Sequence, residues 1–91
     1  MPSISIAPPD SQRDTLRVRL ARIDRRTPDI LAFELTHPDG RALPAVTAGA
    51  YIDVFLLGRL MRQYSLCNAA RERHRYQIAV LRAMYDVVAE G

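Results

Sequence analysis

Residues 30–40 read ILAFELTHPDG, and this stretch carries the clearest indication of the fold. Leu31, Phe33 and Leu35 fall on one face of an extended chain, because successive side chains of a β-strand point to opposite faces. The four residues HPDG that follow form a turn signal, since proline presets φ and glycine tolerates a positive φ. The stretch therefore predicts a β-strand over 30–36 that ends in a tight turn.

Four further segments are predicted to be strands, three of them from the same alternation of apolar and polar residues. Residues 16–20 (LRVRL) alternate strictly, and the alternation slips by one residue at 21–23, which predicts a β-bulge or a bend. Residues 51–56 (YIDVFL), 61–66 and 76–82 (YQIAVLR) complete the set. Five short strands separated by turns predict an all-β fold, either an antiparallel barrel or a sandwich.

The chain of 91 residues allows one small domain, and the strands place it at residues 15–82. Residues 1–14 contain three prolines and no secretory signal pattern, so they predict a flexible lead-in. Residues 83–91 (AMYDVVAEG) fit one or two helical turns, or a frayed sixth strand. The sequence leaves open whether this tail completes the sheet.

The composition is that of an ordinary globular domain, with 48% hydrophobic and 25% charged residues. No apolar run approaches the roughly 20 residues of a membrane-spanning helix. Cys67 is the only cysteine, which excludes an intramolecular disulfide and fits a reducing compartment. We therefore expect a cytoplasmic protein without a membrane partner.

All 13 basic residues are arginines, and the formal net charge is +3. A basic β-barrel with exposed aromatic residues such as Tyr51 and Tyr76 could bind single-stranded nucleic acid in a groove of the kind found in OB-folds. The arginines are dispersed and interleaved with acids, which argues against this alternative. The one dense run, residues 71–75 (RERHR), is more typical of a charged turn.

Several kinds of catalytic or binding site are absent from the sequence. His37, His74 and Cys67 lack the spacing of metal ligands, so no metal site is expected. The Gly-x-Ser-x-Gly elbow of hydrolases is missing. The four glycines cannot form a phosphate-binding loop or a dinucleotide-binding fingerprint, so no nicotinamide-binding domain is encoded. No residue is predicted to be catalytic.

Residues 62–66 (RQYSL) carry the remaining candidate chemistry. Arg62 on a strand can pair with a phosphate through two hydrogen bonds. Tyr64 lies on the same face of that strand, and Ser65 points to the other face. By itself this pattern is also typical of a salt bridge, a packed tyrosine and a surface serine.

In its wider context the pattern resembles the flavin-binding barrel of the ferredoxin–NADP reductase superfamily. It is most similar to the N-terminal part of the phthalate dioxygenase reductase and vanillate demethylase reductase group. The resemblance implies an antiparallel Greek-key β-barrel of the type that binds FAD or FMN. The segments that carry it are TPDILAFEL (27–35), HPDG (37–40) with LP (43–44), AGAYIDV (48–54), RQYSLCN (62–68) and YQIAVLR (76–82).

The resemblance also implies roles for individual residues. Arg62 would pair with the flavin phosphate, Tyr64 would stack on the isoalloxazine, and Ser65 would bond near its reactive nitrogen. Gln63 and Leu66 belong to the same flavin-lining segment. The backbone groups of a second segment would contact the pyrimidine edge, namely those of Ile78, Ala79, Val80 and Leu81.

The implied activity is electron transfer from NAD(P)H through the flavin to a [2Fe–2S] centre. That centre would serve an aromatic-ring oxygenase or a demethylase. The 91 residues contain neither a nicotinamide-binding domain nor the cysteines of a [2Fe–2S] domain, so we expect other domains to supply both. Whether the chain is itself an enzyme is left open, and so is the choice between FMN and FAD, with FMN preferred.

The tail departs from the family. The family has a Gly-Gly-Ser segment after the strand that ends in Val-Leu-Arg, whereas this chain continues with residues 83–91 (AMYDVVAEG). Loss of two or three charge-assisted hydrogen bonds of about 1.5–3 kcal/mol each predicts weak or absent flavin binding. The sequence thus indicates a truncated flavin domain, with an inactive reductase remnant as an alternative, and an open sheet edge that favours self-association.

Overall fold

The fold is known from a computed structural model, which describes residues 4–7, 15–47, 49–56, 59–69 and 71–90. At residues 56, 59–62 and 87–90 the backbone alone is described. Within these residues, six strands and one helix follow in chain order: β1 (Ile4–Ala7), β2 (Leu16–Arg25), β3 (Ile30–Thr36), β4 (Tyr51–Leu56), β5 (Arg59–Ser65), β6 (Tyr76–Leu81) and α1 (Arg82–Glu90).

The strands form one antiparallel sheet in the order β5-β4-β1-β2-β3-β6. The run β4-β1-β2-β3 is the arrangement of a Greek key, in which the fourth strand returns to lie beside the first. The sheet curls into a nearly closed barrel, so the all-β Greek-key barrel expected from the sequence is confirmed.

The predicted strands lie close to their expected positions. β3 covers residues 30–36 as predicted, and the following turn has a hydrogen bond from Gly40 N to His37 O of 3.0 Å. Gly40 adopts a φ of 75°, which explains why glycine ends the turn. The bulge predicted at 21–23 is confirmed, since the register of β2 against β3 shifts between Leu20 and Arg22.

The first strand corrects the expectation of a flexible lead-in at residues 4–7, the part of the range 1–14 that the structure describes. Ile4–Ala7 form β1, which pairs with β2 on one edge and with β4 on the other. Ile4 and Ile6 are completely buried. Such a short strand is stable because it is hydrogen-bonded on both edges and contributes two large side chains to the core.

The core fills the inside of the barrel with alternate side chains from the strands. Leu43, from the loop between β3 and β4, is also completely buried. The cluster consists of Ile4, Ile6, Val18, Leu20, Leu31, Phe33, Leu35, Leu43, Ile52, Val54, Leu66, Tyr76, Ile78 and Val80.

The tail after β6 is a helix and not a further strand. α1 begins directly at Arg82, whose side chain pairs with Asp86 at 3.6 Å. Met84 and Tyr85 pack against the core, and the Tyr85 ring meets Phe33 edge-on at a centroid distance of 5.3 Å. The helix lies against both β5 and β6, the two end strands of the sheet.

The structure predicts that β1 is essential to stability. Replacing Ile6 with alanine should lower the free energy of unfolding by about 2–5 kcal/mol, because it leaves a cavity in the core. Urea denaturation followed by circular dichroism measures the change. Ser5→Ala on the other face of the same strand is the matched control and should change stability by no more than about 0.5 kcal/mol. Equal effects of the two variants would contradict the role assigned to β1.

Candidate functional site

The segment RQYSL occupies the end strand β5 and the residue after it. The register sets Tyr64 opposite Ile52 and Ser65 opposite Tyr51. Since Ile52 is completely buried, Tyr64 lies on the core side of the sheet and Ser65 on the outer side. Arg62 lies opposite Val54, and its side chain is outside the described part of the chain.

The side chains along this segment differ in their surroundings. Tyr64 is half-buried and packs against the core. Ser65 is exposed and donates a hydrogen bond to the carbonyl oxygen of Gly49 at 3.3 Å. Gln63 donates to Asp53 across the strand pair at 3.4 Å. An aromatic ring and an exposed hydroxyl therefore occupy consecutive positions on opposite faces of an end strand.

The residue after β5 fixes this strand to the loop before β4. Leu66 is buried, and its N–H donates to the carbonyl oxygen of Ala50 at 2.9 Å. Gly49 has a φ of 72°, a conformation that favours glycine, and nothing lies within 4 Å of a Cβ built there. The Gly49 carbonyl that receives the Ser65 hydroxyl is thus part of a turn held against β5.

The second predicted segment lies on β6, the other end strand. Ile78 and Val80 are buried, whereas Ala79 and Leu81 are exposed. One edge of β6 pairs with β3. The other edge faces β5. At this edge the carbonyl oxygen of Gln77 accepts a hydrogen bond from Cys67 N at 2.7 Å.

Along β6 the backbone N–H and C=O groups of successive residues point to opposite edges, so only some of the four predicted positions can contact a ligand. Because both backbone groups of Gln77 point away from β3, those of Ala79 and Leu81 point the same way. The backbone groups of Ile78 and Val80 point toward β3 and belong to its ladder. Of the four backbone positions predicted to contact a ligand, Ala79 and Leu81 therefore face the seam between β5 and β6.

The connection between β5 and β6 is organised by Asn68, a residue that the sequence analysis did not single out. Its side-chain amide donates to the carbonyl oxygen of Arg75 at 2.9 Å and its Oδ1 accepts from Gln77 N at 2.9 Å. An amide side chain supplies a donor and an acceptor on two different atoms, so Asn68 can make both contacts at once. The position of an asparagine just after a strand is the one signal in the sequence.

The charged run at 71–75 serves this same connection, as a charged turn would. Arg75 binds Glu34 of β3 at 2.9 Å and Glu72 at 3.2 Å. The pKa of Glu72 is lowered, first by the hydrogen bond from Ala69 N and also by the Arg75 guanidinium. The pKa of Arg75 is raised, chiefly by its bond to Glu34. These charged side chains therefore pair with one another within the chain.

A second set of contacts ties the loop before β4 to this connection. Leu43 N donates to Arg73 O at 2.7 Å, and Arg73 Nε donates to Leu43 O at 3.2 Å. Tyr76 is buried, which corrects the expectation of an exposed ring, and its hydroxyl donates to the carbonyl oxygen of Pro44. Burial raises the pKa of Tyr76 above its ordinary value. The loop that leads to Gly49 is therefore anchored near its middle, at Leu43 and Pro44.

Two features are absent from the described part of the chain, a metal-binding cluster and a membrane-spanning helix. Within that part, no three His, Cys, Asp or Glu side chains come together in a way that could hold a metal ion. No helix there is both long and apolar enough to cross a membrane.

Comparison with known proteins finds several curated relatives. The chain is 52% identical over 64 residues to vanillate O-demethylase oxidoreductase of Acinetobacter baylyi, covering 70% of this chain and 20% of the relative. It is 46% identical over 67 residues to phthalate dioxygenase reductase of Burkholderia cepacia, covering 74% and 21%.

A third relative serves a different substrate. The chain is 43% identical over 70 residues to the reductase subunit of a tert-butanol monooxygenase / tert-amyl alcohol desaturase of Aquincola tertiaricarbonis, covering 77% and 21%. The chain thus spans about one fifth of the length of these relatives. No protein-family model matches it, and no solved structure gives a significant match.

The contacts of Asn68 generate a prediction about the seam. Asn68→Ala should destabilise the fold by about 1–3 kcal/mol, because it leaves the partly buried N–H of Gln77 without its acceptor. Amide hydrogen exchange should show faster exchange at Gln77. Arg22→Ala removes an exposed ion pair with Asp24 and should cost less than about 1 kcal/mol. Unchanged exchange at Gln77 would refute the role of Asn68.

The raised pKa of Tyr76 predicts how the free energy of unfolding changes at alkaline pH. A raised pKa in the folded state means that the unfolded chain loses the proton first, so stability is complete below about pH 10 and falls as pH rises further. At pH 8, Tyr76→Phe should lower the free energy of unfolding by about 0.5–1.5 kcal/mol, because the hydrogen bond to Pro44 is removed. Above pH 10, the free energy of unfolding of this variant should decrease less steeply than that of the wild type. Urea denaturation from pH 8 to 11 measures both. The exposed Tyr51→Phe is the control, and parallel profiles for wild type and Tyr76→Phe would contradict this.

Proposed function

The chain belongs to the family of oxygenase reductases that includes phthalate dioxygenase reductase and vanillate O-demethylase oxidoreductase, and from this we propose that it is a flavin-binding barrel. The observation that carries the proposal is the identity of 43–52% to three reductases of oxygenase or demethylase systems. The antiparallel Greek-key barrel agrees with it.

The residues at the seam between β5 and β6 fit a flat heteroaromatic ligand. β5 supplies the half-buried ring of Tyr64 and the exposed hydroxyl of Ser65. β6 supplies the backbone groups of Ala79 and Leu81, which point away from β3 and toward the seam. A ring that stacks, a hydroxyl and a strand edge are together the groups that bind and orient such a molecule.

Each part of this chain would have a defined task. Tyr64 would pack on the isoalloxazine, Ser65 would bond beside its reactive nitrogen, and Ala79 and Leu81 would bond to the pyrimidine edge. Arg62 would pair with the phosphate, since guanidinium groups bind phosphate through paired hydrogen bonds. These groups bind and orient the ligand, and none of them transfers a proton.

When bound, a flavin would supply the redox chemistry, which connects two-electron hydride transfer from NAD(P)H to one-electron transfer to a [2Fe–2S] centre. The nicotinamide-binding and [2Fe–2S] domains would come from outside these 91 residues. The final acceptor would be an aromatic-ring oxygenase or a demethylase. We assign FMN as the cofactor, with FAD as the alternative.

We expect the affinity for FMN to be low. The family's Gly-Gly-Ser segment is replaced here by residues that enter α1 directly after β6. The phosphate would then depend largely on Arg62. This expectation makes the contribution of that one side chain measurable.

Binding of FMN and riboflavin distinguishes the phosphate contact from the ring contacts. Arg62→Ala should weaken FMN binding by about 10- to 100-fold and leave riboflavin binding unchanged, since riboflavin has no phosphate. Flavin fluorescence titration, with equilibrium dialysis for weak binding, measures both ligands.

Arg22→Ala is the matched control, because it removes an exposed arginine from β2 and should leave both affinities unchanged. Equal losses of FMN and riboflavin binding in Arg62→Ala would refute the phosphate role. Failure of the wild-type chain to bind either flavin at millimolar concentration would refute the flavin proposal.

A further inference from the structure

Tyr51 is an exposed aromatic residue at the start of β4. Its exposed fraction is 58%, the largest among the large hydrophobic side chains in the described part of the chain. Its neighbours on the other face of β4, Ile52 and Val54, are completely buried. Most exposed hydrophobic side chains have no special role, so the position of Tyr51 decides its meaning.

The register places Tyr51 directly opposite Ser65. Opposite side chains of an antiparallel pair stand on the same face with their Cβ atoms about 4.5–5.5 Å apart. The Tyr51 ring therefore stands on the outer face next to the Ser65 hydroxyl. The next pair on this face consists of Asp53 and Gln63, whose side chains are hydrogen-bonded to each other at 3.4 Å.

The backbone on either side of Tyr51 is fixed. Ala50 donates to Thr47 O at 3.1 Å and accepts from Leu66 N at 2.9 Å. Gly49 accepts the Ser65 hydroxyl at 3.3 Å. The backbone of this strand end is therefore held in place, and a ligand that contacts the exposed Tyr51 ring need not order the backbone.

We propose that Tyr51 forms an aromatic wall of the flavin site and packs its ring against the isoalloxazine bound beside Ser65. This inference rests on the proposed function. Because Tyr51 stands on the outer face of the sheet and Tyr64 on the core side, the two rings would flank the isoalloxazine from opposite sides at the edge of β5. Because the contact is to the ring system, it serves FMN and riboflavin equally, unlike that of Arg62.

A tryptophan at this position tests the contact directly. The chain has no tryptophan, so Tyr51→Trp introduces a single fluorescent reporter. Titration with FMN should quench its emission in a saturable way, with the same half-saturation as equilibrium dialysis gives. Ile23→Trp on β2, where the native side chain is 38% exposed, is the control for energy transfer to a bound flavin without ring contact, and FMN should quench its emission less at saturation.

Affinities of two further variants give an independent measurement. Tyr51→Ala should weaken FMN and riboflavin binding by the same factor, about three- to tenfold, while Tyr51→Phe should bind as the wild type does. Circular dichroism and urea denaturation establish that the variants are folded.

The outcomes separate this inference from the proposed function. If the wild type binds flavin but FMN quenches the Tyr51→Trp variant no more than the Ile23→Trp variant and Tyr51→Ala keeps full affinity, the role of Tyr51 is refuted and the flavin proposal stands. If dialysis shows that the wild type binds no flavin, both are refuted. A loss confined to FMN would also refute the ring contact.

Discussion

The barrel depends on the pairing of a four-residue strand on both of its edges. β1 joins β4 and β5 on one side to β2, β3 and β6 on the other. Its backbone hydrogen bonds hold the two parts in register, and its isoleucines fill the space between them. The relative position of the two end strands, β5 and β6, therefore follows from a segment that lies far from both in the strand order.

The candidate site combines groups from both parts. Tyr64, Ser65 and Tyr51 belong to the β4–β5 part, whereas Ala79 and Leu81 belong to β6. Two structures connect the end strands: Asn68 and Cys67 bond to Gln77 after β5, and α1 lies against both strands. The site is thus a property of barrel closure, and its geometry is only as rigid as these connections.

Much of this could be predicted from the sequence, because period-two alternation directly reports which side chains enter the core. That pattern indicated β2 with its bulge, β3, β4 and β6. It missed β1, since two isoleucines near prolines are too short a pattern to stand out. It could not show that Ile78 and Val80 direct their backbone toward β3, because edge orientation depends on which strand pairs with which. The role of Asn68 was equally invisible, since its partners are distant backbone groups.

The place of β1 has a consequence for the order of folding. The first strand of the chain is sandwiched between β2 and β4, and its pairing with β4 connects residues from opposite halves of the sequence. During synthesis β1 can meet β2 early, but its second edge stays open until β4 has emerged. Such non-local contacts carry the entropic cost of a large closed loop and slow the final step of folding. An open edge in that interval also exposes the nascent chain to pairing with other molecules.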